Sequence, residues 1–476
     1  MKFSQLLETN NLKIDQIEIS GLTCDSSQVK EGYVFVCIKG ERFDGHLFAH
    51  DAIKLGASVI VTERDLSLEN QVIVEDTRAA FAVMSANWFG NPAKKLKLVG
   101  VTGTNGKTSV TYMLKQILES TGAKVGLVGT IQNMIGDEVL ATKNTTPSSY
   151  ELNSLFSLMV KAGCEYAVME VSSHALDQKR VYNLEFDAAI FTNLTQDHLD
   201  YHKTMENYLE AKRKLFTMAK CAILNFDDEA CSKFADGLEC DVITYSAESD
   251  NATFTAKNIS YKSDGVDYEL VGYNAIARMK MSTGGKFTVY NSMAAALAAK
   301  VLGVELMASS LALRNLSGVK GRAENVPNDK GFTIIIDYAH TPDGLINILN
   351  TFKECPKNRL TVVFGCGGDR DKTKRPIMGS IAAKLADNVI VTSDNPRTEN
   401  PTEIINDILV GMANTKTPYT VIENRVEAIK YAVANAKKDD IIVLAGKGHE
   451  TYQILNTGTI HLDEREVVKE ALEELK

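Results

Sequence analysis

Short, near-continuous apolar runs bounded by glycines and polar turns recur along the chain. They fall at 96–101, 166–171, 188–191 and 221–224, and again at 333–336, 360–364, 389–391 and 441–444. Runs this short, apolar on both sides rather than at alternate positions, fit strands covered on both faces, as in a parallel sheet. Stretches with helical spacing separate them, among them 376–385 and 425–437. The alternation predicts two doubly wound α/β units in succession. Ahead of them, short β-rich runs such as Tyr33-Val34-Phe35-Val36-Cys37-Ile38 mix with a helix-like stretch at 80–89, and Asn91-Pro92 marks a turn. A second boundary is expected in the segment 318–328, which holds two glycines and a proline. The mixed-charge end, 463–476, has the pattern of a solvated amphipathic helix.

Length agrees with this division. At 476 residues the chain exceeds what one core supports, and roughly 150 residues per domain gives about three. An apolar fraction of 44% with 24% charged residues excludes a disordered chain, a collagen-like repeat and a coiled coil. A net charge of −9 argues against a non-specific binder of nucleic acid or acidic membranes, while leaving room for a local basic pocket. No apolar run approaches the roughly 18 residues of a membrane span, and Gln5 and Glu8 interrupt any signal-peptide core. A cytoplasmic location is expected. The eight cysteines are scattered without a CxxC pair, so reduced packing thiols are expected and zinc is not.

Candidate chemistry concentrates after the predicted strands. Gly103-Thr104-Asn105-Gly106-Lys107-Thr108-Ser109 carries a strand end into a helix. Glycines there let backbone N–H groups meet phosphate oxygens, Lys107 can reach the β/γ-phosphates, and the Thr108 hydroxyl can face Mg²⁺. The GxxGKT spacing is two residues short of the standard Walker loop. Glu170-Val171-Ser172-Ser173-His174 suits a metal-binding carboxylate at a strand end, although alone it also reads as a capped helix start. Thr192-Asn193-Leu194-Thr195-Gln196-Asp197-His198-Leu199-Asp200-Tyr201-His202, right after an apolar strand, is a dense polar cluster that fits a site or a solvated loop equally well.

Taken in order, these motifs resemble the ATP-dependent Mur ligases of peptidoglycan synthesis. The likeness continues through Tyr208-Leu209-Glu210-Ala211-Lys212, residues 285–291 and Gly321-Arg322-Ala323-Glu324. It then runs through Asp337-Tyr338-Ala339-His340-Thr341-Pro342 and Gly365-Cys366-Gly367-Gly368-Asp369-Arg370. It ends with Asp394-Asn395-Pro396-Arg397 and Gly446-Lys447-Gly448-His449-Glu450, and so covers essentially the whole chain. The resemblance implies three α/β domains: a small UDP-muramyl-binding domain over 1–94, a central P-loop-type ATPase domain with a parallel sheet over 95–322, and a Rossmann-like amino-acid-binding domain over 323–476. Within the family the chain is most similar to ligases that add the third residue of the stem peptide. That implies UDP-MurNAc-L-Ala-D-Glu, a diamino acid and ATP as substrates, with an acyl phosphate formed on the D-glutamate γ-carboxylate and then attacked by the incoming amine.

The resemblance also assigns roles. Lys107, Glu170, His198 and Lys212 match the catalytic set. Thr108, Glu170, His198 and Lys212 match the holders of Mg²⁺, or Mn²⁺ in its place, with Lys212 carried as a CO₂-derived carbamate (N6-carboxylysine). Asn291, Arg322 and Asp337 match ATP contacts beside the loop 103–109. Cys24, Ser26, Glu41, Arg42 and Phe43 match the uridine-nucleotide pocket. Asn144, Thr145, Thr146, Ser172, Gln178 and Arg180 match the peptidyl side. Arg370, Asp394, Asn395, Pro396, Arg397, Gly446 and Glu450 match contacts to the added residue, and Asp-Asn-Pro-Arg resembles the signature for meso-diaminopimelate rather than lysine. Arg397 can take the distal carboxylate bidentately, while Asp394 or Glu450 can accept from the distal ammonium. Lysine in such a site leaves an arginine unpaired, which supports discrimination of about 10⁴–10⁵. Asn400 departs from the acid many members carry there.

Another amide ligase on this scaffold, a folylpolyglutamate synthase, lacks the uridine-type first domain and the Asp-Asn-Pro-Arg motif. A non-catalytic descendant would have lost one of Lys107, Glu170, His198 or Lys212. The expected protein is a monomer with small-molecule substrates, no nucleic acid and no membrane span. Its third domain is expected to close about the segment 318–328.

Overall fold

A computed structural model of the chain describes every residue except 10, 41, 42, 263, 264, 315, 317, 354, 356 and 476. Three sheets follow one another along the sequence, with four, eleven and six strands, and a two-stranded hairpin lies near the C-terminus. The first is wholly parallel, in the order Gly21–Thr23, Tyr33–Val36, Val59–Thr62, Gln71–Ile73. Its helix Thr77–Trp88 starts where Asp76 accepts from the Ala79 N–H.

The centre of the second sheet is the parallel set Val125–Val128, Tyr166–Glu170, Lys97–Thr102, Ala188–Phe191, Cys221–Asn225 and Asp241–Ser246. The near-continuous apolar runs become these strands, and their residues are buried from both sides by two separate apolar clusters. The chain pattern did not reveal the flanks. Phe254–Lys262, Gly265–Gly272 and Ala275–Met281 form an antiparallel extension, and Asn133–Ile135 with Glu138–Leu140 adds a hairpin at the other edge. Ala275–Met281 alternates almost throughout, and Phe254–Lys262 alternates half-buried with exposed positions after three buried ones, so they lack the continuous run that marks the centre. Helix Lys107–Glu119 buries Val110, Met113, Leu114, Ile117 and Leu118, a helical stripe. It packs on Lys286–Val301, whose alanines allow close approach.

The third sheet runs Glu324–Asn325, Thr333–Asp337, Ile441–Ala445, Leu360–Phe364, Asn388–Val391, Tyr419–Val421, parallel except for the first pair. The helix expected at 376–385 begins earlier, at Lys374, because Pro376 sits in the first turn where its missing N–H costs nothing. The helix expected at 425–437 is shorter, Arg425–Ala434, and stops at Asn435. The terminal helix, Glu464–Glu474, is not simply a solvated element. Glu464, Val467, Val468 and Ala471 are buried, and Glu464 pairs with a fully buried Arg425. No helix among the described residues is long and apolar enough to cross a membrane.

In all three sheets, the loops that follow the C-terminal ends of the parallel strands carry the motifs: 24–26 after Thr23, 103–106 after Thr102, and 365–370, 392–397 and 446–450 in the third. That edge is where open α/β sheets bind ligands.

Candidate active site

The loop Gly103-Thr104-Asn105-Gly106 leaves the strand Lys97–Thr102 and feeds the helix that starts at Lys107. Gly103 has φ +144°, and a Cβ there would lie 1.9 Å from Thr192 Oγ1, so only glycine fits. The neighbouring strand end braces the loop: the Thr104 N–H donates to Asn193 O at 2.8 Å and the Asn105 N–H to Asn193 Oδ1 at 2.9 Å. Asn193 lies in the candidate polar run 192–202, where the sequence assigns it no role of its own. Lys107 Nζ donates to Gly103 O and Thr104 O at 2.9 and 2.8 Å, and burial lowers its pKa.

Beneath the loop, Thr108 Oγ1 donates to Glu170 Oε1 at 3.0 Å, and Glu170 also accepts from the Thr130 N–H and hydroxyl. Lys212 is 1% exposed, donates to Gly103 O at 2.8 Å, and lies 4.5 Å from the centroid of the Tyr208 ring. Burial, with the Lys107 charge adding to it, pushes the Lys212 amine well below the ordinary lysine pKa. His198 has φ +53°, and Asp197 Oδ2 lies 3.3 Å from its Nε2. Burial lowers the His198 pKa although Asp197 opposes it. No three His, Cys, Asp or Glu side chains among the described residues form a ready metal cluster. The donor set still fits a divalent ion: a buried carboxylate, a hydroxyl, an imidazole biased to its neutral form, and a lysine whose neutral amine can take up CO₂.

A cavity of about 600 Å³ opens beside the loop. It brings together Asn105, Gly106, Ser109 and Asn291 from the second sheet's side with Arg322, Asp337, Asn347 and Thr351 from the third's. The Arg322 guanidinium lies 4.9 Å from the Tyr338 ring centroid. Asp337 accepts from the Ala323 and Ala339 N–H groups at 2.7 and 2.8 Å, and burial raises its pKa.

A larger cleft, about 1320 Å³, lies between the first and second sheets. Cys24, Ser26, Phe43 and Gln178 line it, as do Tyr201 from the polar cluster and Arg78, which sequence reasoning missed. Cys24 keeps an exposed surface, yet desolvation by the cleft walls and then neighbouring Asp25 push its thiol up to about 11. Glu41 and Arg42 lie outside the described residues. On the peptidyl side, Arg180 Nη1 donates to Thr146 O at 2.8 Å and Nη2 to Gln178 Oε1 at 2.7 Å. Thr146 is 1% exposed, and its hydroxyl is engaged with Glu170 O and the Ser172 N–H. Thr145 Oγ1 meets Thr130 Oγ1 at 3.0 Å, which ties this strip to the Glu170 cluster. Asn144 lines a smaller cavity of about 280 Å³.

At the third sheet's edge, Asn395 Nδ2 donates to Glu450 Oε2 at 3.0 Å, and Gly446 lies against Asp394. Asp394 Oδ2 is buried without a hydrogen-bond partner. Lys447, fully buried and named in the 446–450 motif without a role, donates to Asn395 Oδ1 and Glu450 Oε2, each at 3.0 Å. Arg397 follows Pro396 with φ +54° and donates to Gly368 O at 2.8 Å, beside an exposed Arg370.

Three family models match consecutive stretches: the Mur ligase family catalytic domain over 18–94, the Mur ligase middle domain over 101–299, and the Mur ligase glutamate ligase domain over 321–448. The chain belongs to the Mur ligase family. A UDP-N-acetylmuramoyl-L-alanyl-D-glutamate--2,6-diaminopimelate ligase of Caldanaerobacter subterraneus subsp. tengcongensis is 52% identical, over 96% of this chain and 95% of that one. A solved structure of a ligase with the same name superposes with TM-score 0.77 at 32% identity, covering 100% of this chain and 99% of the other. The MurF ligase of Thermotoga maritima, solved in complex with ADP, shares the fold at TM-score 0.61 and 21% identity, over 96% and 98% of the two chains.

Proposed function

We propose that this Mur ligase joins meso-2,6-diaminopimelate to the D-glutamate γ-carboxylate of UDP-N-acetylmuramoyl-L-alanyl-D-glutamate at the expense of ATP, in peptidoglycan synthesis. The observation that carries this reading is the edge of the third sheet, where Asp394, Arg397 and Glu450 converge from two separated motifs. Two carboxylates and an arginine suit an amino acid with a second ammonium–carboxylate pair at its far end.

The reaction needs positioning and charge neutralisation more than covalent chemistry by the protein. Loop 103–109 and Lys107 hold the phosphates of ATP, and Asn291, Arg322 and Asp337 hold the nucleoside. Thr108, Glu170, His198 and Lys212, the last as its carbamate, would hold Mg²⁺, or Mn²⁺ in its place, which would supply neutralisation of phosphate and carboxylate charge. Cys24, Ser26, Glu41, Arg42 and Phe43 receive the uridine nucleotide, and Asn144, Thr145, Thr146, Ser172, Gln178 and Arg180 hold the dipeptide. Its γ-carboxylate takes the phosphoryl group, and the amine held by Arg370, Asp394, Asn395, Pro396, Arg397, Gly446 and Glu450 displaces phosphate. The three domains divide at about residues 94 and 322. ATP and a UDP-linked sugar are cytoplasmic compounds, and the same compartment is proposed for the enzyme. A monomer is proposed.

The test is phosphate release with ATP, Mg²⁺, bicarbonate and the UDP-muramyl dipeptide, run with meso-diaminopimelate and L-lysine in parallel and with the product mass checked. Turnover with diaminopimelate alone is expected. Turnover with lysine instead would overturn the specificity, and silence with both would overturn the reaction.

A further inference from the structure

Two loops carry the arginines that face the incoming amino acid, and one carboxylate joins them. Glu399 sits two residues after Arg397. Its Oε1 accepts from Arg375 Nη2 at 2.9 Å and from the Asp369 N–H at 2.6 Å, and its Oε2 accepts from Arg375 Nη1 at 3.1 Å. Lys372 Nζ lies 3.1 Å from the same Oε2. Asp369 is the residue before Arg370, so this carboxylate grips the backbone of one arginine's loop while belonging to the other's.

Further ties run the same way. Thr398 Oγ1 donates to Asp369 Oδ1 at 2.7 Å, and the Gly368 N–H donates to Asn395 O at 2.9 Å. The loops touch so closely that a Cβ on Gly368 would lie 1.9 Å from Pro396 O. Asp369 and Arg397 both have φ +54°, a conformation side chains seldom adopt unless their surroundings impose it. Four cations (Arg370, Lys372, Arg375 and Arg397) crowd this edge, and Glu399 is bonded to two of them. The Arg375 fork and the Asp369 amide hold its carboxyl down to about 2, so it stays charged at any working pH.

We propose that the Arg375–Glu399 pair is a positioning device that fixes the spacing of Arg370 and Arg397, and thereby the selection for a second carboxylate on the incoming amino acid. The inference rests on the proposed function. Neither partner is assigned to touch substrate. Arg375 is 1% exposed, and its fork is spent on Glu399 and on Asp407 Oδ2 at 2.9 Å. Bidentate recognition fails when its donors drift by fractions of an ångström, so a loosened pair should cost recognition of the amino acid before anything else.

The test compares wild type with Glu399→Gln and Thr398→Val, with diaminopimelate varied at saturating ATP and UDP-muramyl dipeptide. Arg375 keeps Asp407 in the first variant, and the second removes an exposed tie, so both should fold. The expected result for Glu399→Gln is a KM for diaminopimelate raised about tenfold or more, with the KM for ATP within about twofold. The preference for diaminopimelate over lysine in kcat/KM should fall about tenfold, and Thr398→Val should move the same quantities less far. Parallel changes in every KM with a lowered melting temperature, or unchanged diaminopimelate kinetics, would overturn the proposal. If Glu399→Gln does not fold, Thr398→Val decides alone by the same split. A wild type that does not use diaminopimelate overturns the proposed function itself; a wild type that does, with both variants unchanged, overturns only the positioning role.

Discussion

Lys212 shows what a single residue's surroundings can do. Buried against Tyr208 with Lys107 as a like charge, its amine gives up a proton more readily than an ordinary lysine does, and only the neutral amine reacts with CO₂. Lys212→Met should lower kcat by about 10²-fold or more. A carbamate carbon signal seen in wild type with ¹³C-bicarbonate should be absent from the variant. His449 gives a pH prediction. Burial first, then the charges of Arg322, Arg465, Lys320 and His340, lower its pKa to about 4 from the usual 6.5. The unfolded chain therefore binds more protons between those values, and stability falls as pH drops from 6.5 towards 4. His449→Gln should flatten that part of the stability–pH curve, measured as urea midpoints at pH 7 and pH 5. Legibility at this scale was uneven. The strand-to-helix turn ahead of Lys107 and Thr108 could be read because it is contiguous, whereas Asn193 and Lys447 act through contacts that sequence spacing does not encode.

Among the elements, the buried parallel strands were readable, since burial on both faces leaves a near-continuous apolar run. The antiparallel flank at 254–281 escaped because one of its faces meets solvent. The terminal helix was misread for another reason: an acidic residue in sequence normally signals solvent, but Glu464 is fully buried because Arg425 meets it. Removing one partner strands the other in the core. Arg425→Met should destabilise the protein by about 3–5 kcal/mol, and adding Glu464→Leu should recover most of that loss, measured by chemical denaturation. The same helix carries Arg465, which pairs with Glu324 and donates to Gly448 O at 3.1 Å, so its loss also unsettles the 446–450 loop.

Across the whole molecule, three sheets turn their ligand-binding edges towards shared clefts, and in the proposed reaction the acyl phosphate and the amine would have to meet across one of them. The third domain should swing about the segment 318–328 as substrates bind. Small-angle scattering should show a smaller radius of gyration with a non-hydrolysable ATP analogue and the UDP-muramyl dipeptide together than with neither. Domain order and fold class could be read from the alternation of runs, but the clefts could not, because they arise only where loops from different sheets are brought face to face.

The 600 Å³ cavity has one wall from the second sheet's helices and loops and the other from Arg322, Asp337 and the helix Pro342–Lys353. A nucleotide gripping both walls binds neither domain fully once the other has melted. Its binding energy therefore becomes a coupling between two melting transitions. In the calorimeter, two overlapping endotherms of the free chain should draw together into one as nucleotide is added, so that heat capacity alone reports whether the two walls hold the same molecule.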